Sequence, residues 1–172
     1  ITAGTERVEF HEANVSGGTN VLILVDAENN NAFKITTGHS LSSHAPTNFP
    51  TTLAQGGAIL DGYLFLMDED GVIYNSAIDD VDTFPATGFI TAERNHDKGV
   101  YLGRHREGIV AFGTRTLEFF YDAANTVGSP LNRRQDIFHN VGSGDGLTGW
   151  ENGDIVYFEG YDLISSSGIH KV

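Results

Sequence analysis

Four short apolar segments recur along this chain at nearly even spacing, and that recurrence limits the folds open to it more than any other feature. They are Val21–Val25 (VLILV), Tyr63–Met67 (YLFLM), Ile109–Phe112 (IVAF) and Ile155–Phe158 (IVYF), with starts 42, 46 and 46 residues apart. Each runs into a turn and then a second strand candidate: Ala32–Thr36, Val72–Asn75, Thr116–Tyr121 and Leu163–Ser165. The turns are rich in Asn, Asp and Gly, which tolerate positive φ, so each unit reads as a β-hairpin. A period in the forties is that of a propeller blade. The expected fold is all-β: a β-propeller-like array of about four hairpin blades near 21–36, 62–75, 108–121 and 153–165. A β-sandwich is the alternative, since it also uses short strands and frequent turns.

In this fold Leu22, Leu24, Leu64, Leu66, Val110, Phe112, Val156 and Phe158 are expected to stack between hairpins. An array that does not close leaves its end blades without neighbours. The single segment 1–172 therefore reads as part of a larger propeller in a longer chain, and its start at Ile1 fits an excised segment. Long loops are expected over 38–57 and 125–149, where Ser, Thr, Pro and Gly concentrate.

Composition narrows the function. Hydrophobic residues make up 40% of the 172, charged residues 19%, and glycines number 21, which is the balance of a folded, turn-rich domain. The formal charge of −13 repels polyanions, so tight sequence-specific nucleic-acid binding is not expected, whereas loose enclosure of DNA is compatible with it. The absence of cysteine removes disulfides, thiolate metal sites and thiol nucleophiles. No apolar run approaches the roughly 20 residues of a membrane-spanning helix, and membrane insertion by this segment is not expected.

No chemical motif carries through. Gly144-Asp145-Gly146-Leu147-Thr148-Gly149 matches the dinucleotide fingerprint in letters, but a strand follows it where a helix is required. The seven histidines lack metal-pair spacing, and there is no nucleophile elbow. For glycoside chemistry, Glu93 and Asp97 are the carboxylates to inspect, with Trp150 as a sugar-stacking candidate. From Asp61 to Asp82 there are seven acids and no base. Asp68, Asp70, Asp79, Asp80 and Asp82 are accordingly the candidate acidic surface or channel lining. Between Lys98 and Arg134 the local balance is +3, and Arg104, Arg106, Arg133 and Arg134 are the candidate partner contacts, the last two placed in a loop.

The stretch 62–160 resembles a known family. The residues that carry the likeness are GYLFLMDEDGVIYNSAIDD (62–80), GFITAERNHDKGVYLGRHREGIVAFGTRTLEFFYDAAN (88–125), SPLNRRQDIFHNVG (129–142) and WENGDIVYFEG (150–160). Within them, Ala92-Glu93, Val110-Ala111-Phe112-Gly113 and Glu118-Phe119-Phe120-Tyr121 occur in the family's order. This pattern is similar to that of the packaged-DNA stabilisation proteins, or tail accessory factors, that form the tail hub or nozzle of short-tailed bacteriophages. The first 60 residues match less clearly, and Phe84 stands where relatives often carry Trp.

The resemblance implies a structural virion protein in the phage tail and no enzyme, with neither cofactor nor metal. Its partners would be other copies of itself in a ring, expected as a hexamer, beneath the portal and adaptor. It would retain packaged double-stranded DNA, let it pass on ejection, and carry a needle, fibres or tailspikes. A carbohydrate-binding or glycoside-active propeller is the alternative from a different class.

Overall fold

The computed structural model describes residues 8–92, 94 and 97–140, together with the strands 148–151, 154–159, 162–165 and 168–171. Among these residues there are seventeen strands and no helix. The first sheet is a meander of β1 (Glu9–Val15), β2 (Thr19–Asp26), β3 (Asn31–Thr36) and β4 (Leu41–Ser43). A two-residue strand, β5 (Gln55–Gly56), follows it. The second sheet holds β6 (Ala58–Leu60), β7 (Tyr63–Met67), β8 (Val72–Asn75) and β9 (Phe89–Thr91). The third holds β10 (Gly99–His105), β11 (Gly108–Gly113), β12 (Leu117–Asp122) and β13 (Leu131–His139), with β5 added beside β10. The fourth is β14 (Thr148–Glu151), β15 (Asp154–Glu159), β16 (Asp162–Ser165) and β17 (Gly168–Lys171).

Four small antiparallel meanders in sequence make a β-propeller-like array. The paired apolar segments that dominate the sequence lie on the second and third strand of each sheet. Their turns follow from local chemistry. Asp61 and Gly62 both take positive φ, 49° and 84°, which is the two-residue type I′ turn that joins β6 to β7 without splaying the strands.

The sheets pack face to face, and the alternation along β7 shows how. Leu64 and Leu66 point into one core with Val21, Ile23 and Val25 of the first sheet. Phe65 and Met67 point the other way, into a core with Leu102, Ile109, Ala111 and Phe120 of the third. On β11 the same division recurs, since Val110 and Phe112 join Tyr101 and Leu117 in a further cluster. A strand buried on both faces reads as an unbroken apolar run, because neither face of its pleat meets water. A two-sheet sandwich wets one face of every strand, so the YLFLM and IVAF runs favour the layered array.

Of the residues expected to stack, Leu64, Leu66, Val110 and Phe112 are fully buried in the cores, whereas Leu22 and Leu24 lie on the other face of β2 from Val21, Ile23 and Val25, which meet the second sheet. The side chains of Val156 and Phe158 lie outside the described residues.

The expected long loops are broken by strands. β4 and β5 fall inside 38–57, and β13 occupies nine residues of 125–149. The sequence of β13, LNRRQDIFH, hides its state because it is the outer edge of the third sheet, with Asn132 and Arg134 to Ile137 exposed. Such a strand has no buried face to impose an apolar period.

β5 is bound to a sheet two meanders away from the one it follows. It pairs in parallel with β10, Gln55 opposite Tyr101 and Gly56 opposite Leu102, and the Gly57 amide donates to the Leu102 carbonyl at 2.8 Å. Gly56 sits at φ 84°, and a side chain there would strike the Leu102 carbonyl and the Tyr101 ring.

Phe65 has no exposed surface and bridges the second and third sheets. Phe65→Ala is expected to destabilise the protein by about 3–5 kcal/mol in urea unfolding. Val127→Ala, at a position 83% exposed, is expected to shift stability by no more than about 0.5 kcal/mol.

Candidate functional site

The acidic run does not form one surface. The turn at 68–71 and the loop at 76–88 leave opposite ends of β8, a strand of four residues and so roughly 13 Å long. Asp68 and Asp70 belong to the first end, and Asp79, Asp80 and Asp82 to the second.

Asp68 is removed from the surface set altogether. It is 8% exposed, and its Oδ1 accepts the amides of Asp70 at 3.0 Å and Val72 at 2.9 Å. This is the ordinary way an aspartate closes a turn on its own backbone. Its Oδ2 also accepts the Tyr74 hydroxyl at 3.2 Å. Burial first, then the Asp68 charge, push the Tyr74 phenol above its usual range. Asp70 is exposed.

At the other end the acids brace the first sheet. Asp80 Oδ1 accepts the Ser16 amide at 3.2 Å, its Oδ2 accepts the Thr83 hydroxyl at 2.9 Å, and the Val81 amide donates to the Asn14 carbonyl at 2.9 Å. Asp82 receives both of its bonds from Lys34, at 2.6 and 2.7 Å. Asp79 takes a positive φ of 51° and lies 3.5 Å from the Asn14 side-chain amide. With Glu12, Asn14 and Asn20 it lines an open cleft of about 230 Å³ between the first two sheets.

The four arginines also separate. Arg133 lies in β13, not in a loop, and points inward. Its Nε is 2.7 Å from Oε2 of Glu118, whose side chain is 2% exposed, and its Nη2 donates to the Thr91 carbonyl at 2.6 Å. It is an internal brace between the second and third sheets, and this corrects its place among the partner contacts. The physical reason is that a buried carboxylate requires a counter-charge within reach. Arg134, the next residue along the strand, faces outward and pairs with Asp136 through two bonds of 2.9 and 2.7 Å. Arg104 is exposed and reaches the Ile59 carbonyl at 3.1 Å. Arg106 is exposed in the turn after it, with φ 54°.

Glu118 is the residue that sequence reading undervalued. Its Oε1 accepts the Arg94 amide at 2.9 Å, while the Arg94 guanidinium stacks 3.3 Å over the Phe138 ring. Asp97 nearby accepts the amides of Arg115 at 2.7 Å and Thr116 at 3.0 Å. Both carboxylates line one cavity of about 10 Å³, room for at most about one water. A sugar ring does not fit there. The available signal was an acid among the apolar residues 117–121 together with an arginine pair on the strand that follows.

The remaining candidates are quickly placed. Glu93, the Gly144–Gly149 run and the side chain of Trp150 lie outside the described residues. Among those described, no group of three His, Asp or Glu side chains is arranged to hold a metal. His39 is exposed, whereas His44 is 3% exposed.

No protein-family model matches the chain, and no curated protein matches it. Solved structures do. Virginiamycin B lyase from Staphylococcus aureus superposes with a TM-score of 0.57 at 10% identity, over 96% of this chain and 59% of the lyase. The computationally designed Ika4 protein matches all of this chain and 95% of its own at a TM-score of 0.51 and 10% identity. The extracellular domain of a one-component system from B. thetaiotaomicron matches at 0.52 and 17% identity, over all of this chain and 22% of that one. The fold is that of a β-propeller. At these identities the likeness extends to the fold alone, and the chain spans about three fifths of the lyase's length.

Replacing Arg133 by Met leaves a buried carboxylate unpaired, and a loss of about 3–5 kcal/mol is expected in denaturant unfolding. Adding Glu118→Met to that variant is expected to recover most of the loss, because the buried charge is gone and only the Arg94 amide and the Thr91 carbonyl are left without their partners.

Proposed function

We propose that this chain is a structural piece of a phage tail hub or nozzle, a stiff wall around the path of DNA and not an enzyme. The observation that carries the reading is where the buried and half-buried charges go. Glu118, Asp68, Asp97 and Arg133 are each spent on bonds that hold turns and sheets together. Rigidity combined with chemical inertness is what a conduit requires. The resemblance over residues 62–160 supplies the identity of the conduit.

In this reading copies of the chain assemble as a ring, a hexamer in the family, beneath the portal and adaptor. Among the outward charges, Asp70 at one end and Arg104, Arg106 and the Arg134–Asp136 pair on the third sheet are groups available to neighbours. A net charge of −13 keeps the wall from gripping phosphates as double-stranded DNA slides past. Needle, fibre or tailspike proteins would dock on the outside of the ring.

One observation favours a second reading. The open cleft holding Glu12, Asn14, Asn20 and Asp79 offers amides and carboxylates together, the set that binds sugar hydroxyls.

Electron microscopy and native mass measurement of the intact protein test the proposal. Rings of about six copies with negligible affinity for duplex DNA at physiological salt are expected. A monomer whose melting temperature rises with added oligosaccharide would overturn it in favour of the second reading.

A further inference from the structure

Two histidines, His11 half-buried and His44 buried, each with a buried Nε2, stand at opposite edges of the same sheet face. In the order β1-β2-β3-β4 they lie on the first strand and just past the last, three strand spacings apart and two residues out of register. Both point toward the second sheet. His11 shares the face of Ala13, and His44, whose amide donates to the Ala32 carbonyl at 2.8 Å, shares the face of Ala32. We propose that His11 and His44, held neutral, form a pH-sensitive clamp that keeps the first sheet on the second and releases it on acidification.

The surroundings of His11 favour the neutral ring. Its ring lies against Gly56 and Gly57, so closely that a side-chain carbon at Gly57 would sit 2.7 Å from Nε2 and 3.0 Å from Leu66 Cδ2. One ring nitrogen bonds to the backbone at Gly56, and Nε2 is buried without a partner. β5, β6 and β7, which pack against it, carry no charged side chain, and the nearest carboxylate on its own face is Glu9, two residues along β1. Desolvation pulls the imidazole down to about 4, against the small opposing effect of its backbone bond.

His44 closes the other edge. Its ring meets Phe49 edge-on at 5.5 Å, and Nε2 is buried without a partner. Two charged groups face it: Asp82, 3.6 Å from Nδ1, and Lys34, which is already paired with Asp82. Burial again lowers the imidazole, more than the Asp82 charge raises it.

Each histidine is a base whose affinity for protons is lower in the folded state than in water. The clamp is therefore complete above the free imidazole value of about 6.5 and weakens as pH falls toward 4. Once both rings carry charge, the interface between the first two sheets must admit water or part. The second and third sheets are joined through Phe65, Met67, Leu102 and Phe120, with no histidine in that core.

Hydrogen exchange of the intact chain at pH 7.5 and pH 4.5, corrected for intrinsic rates, tests the clamp. Protection in β1–β4 is expected to drop roughly 75-fold from His11 alone, while β7, β11 and β12 keep theirs. In the double variant His11→Gln, His44→Gln the drop is expected to fall below about fivefold. Equal loss across all three sheets, or an unchanged drop in the double variant, would overturn the proposal. Titration of the wild-type imidazoles by NMR gives a readout that needs no variant. A His11 midpoint below about 5 together with a His44 midpoint lowered from the free value supports the clamp, and midpoints near 6.5 refute it.

Discussion

Everything in this protein depends on the second sheet having no wet face. β7 sends Leu64 and Leu66 into one neighbour and Phe65 and Met67 into the other, so a single five-residue strand belongs to two cores. Separating either neighbour exposes large apolar surface at about 25 cal/mol per Å². The stack is held less by hydrogen bonds within each meander than by side chains interlocking between meanders. That explains why small sheets with strands as short as three residues form an ordered body.

The polar groups complement that packing by occupying the seams. The loop at 76–88 reaches from the second sheet to the first with Asp80, Val81 and Asp82, and Arg133 reaches from the third to the second. Glu118 is the most exacting of these elements, since a carboxylate at 2% exposure is tolerated only with partners on both oxygens. Asp80, Asp82, Glu118 and Arg133 thus lie along the boundaries between sheets. The cavity that Asp97 and Glu118 share is water-sized, whereas the cleft lined by Glu12 and Asp79 is open and about 230 Å³.

The sequence disclosed the centre of each sheet and concealed its margins. Runs such as YLFLM are visible because burial on both faces removes polar residues from both phases of the pleat. Outer strands lose that signal: β13 is mostly exposed, and β1, EFHEANV, buries only alternate residues. β5 was invisible for another reason, because two residues in parallel pairing have no period at all. The candidate site was legible only as charge. Counting acids between Asp61 and Asp82 located them correctly in the chain, yet it missed that a four-residue strand sends them to opposite ends. For the same reason adjacent Arg133 and Arg134 were read as one contact, although neighbouring residues on a strand face opposite sides.

The parallel pairing of β5 with β10 bears on how the chain divides into independent units. Gln55 and Gly56 precede the second meander yet contribute to the third, so these sheets are not beads that can be cut apart at their connecting turns. Leu53 and Ala54 tie both sides together, the Leu53 amide donating to Asn30 of the first meander and the Ala54 amide to the Met67 carbonyl of the second. A truncation made just before Ala58 would strip an edge from β10 and leave Leu102 with an unanswered carbonyl. In the growing chain, that short tie must wait for residues almost fifty positions later before it can form.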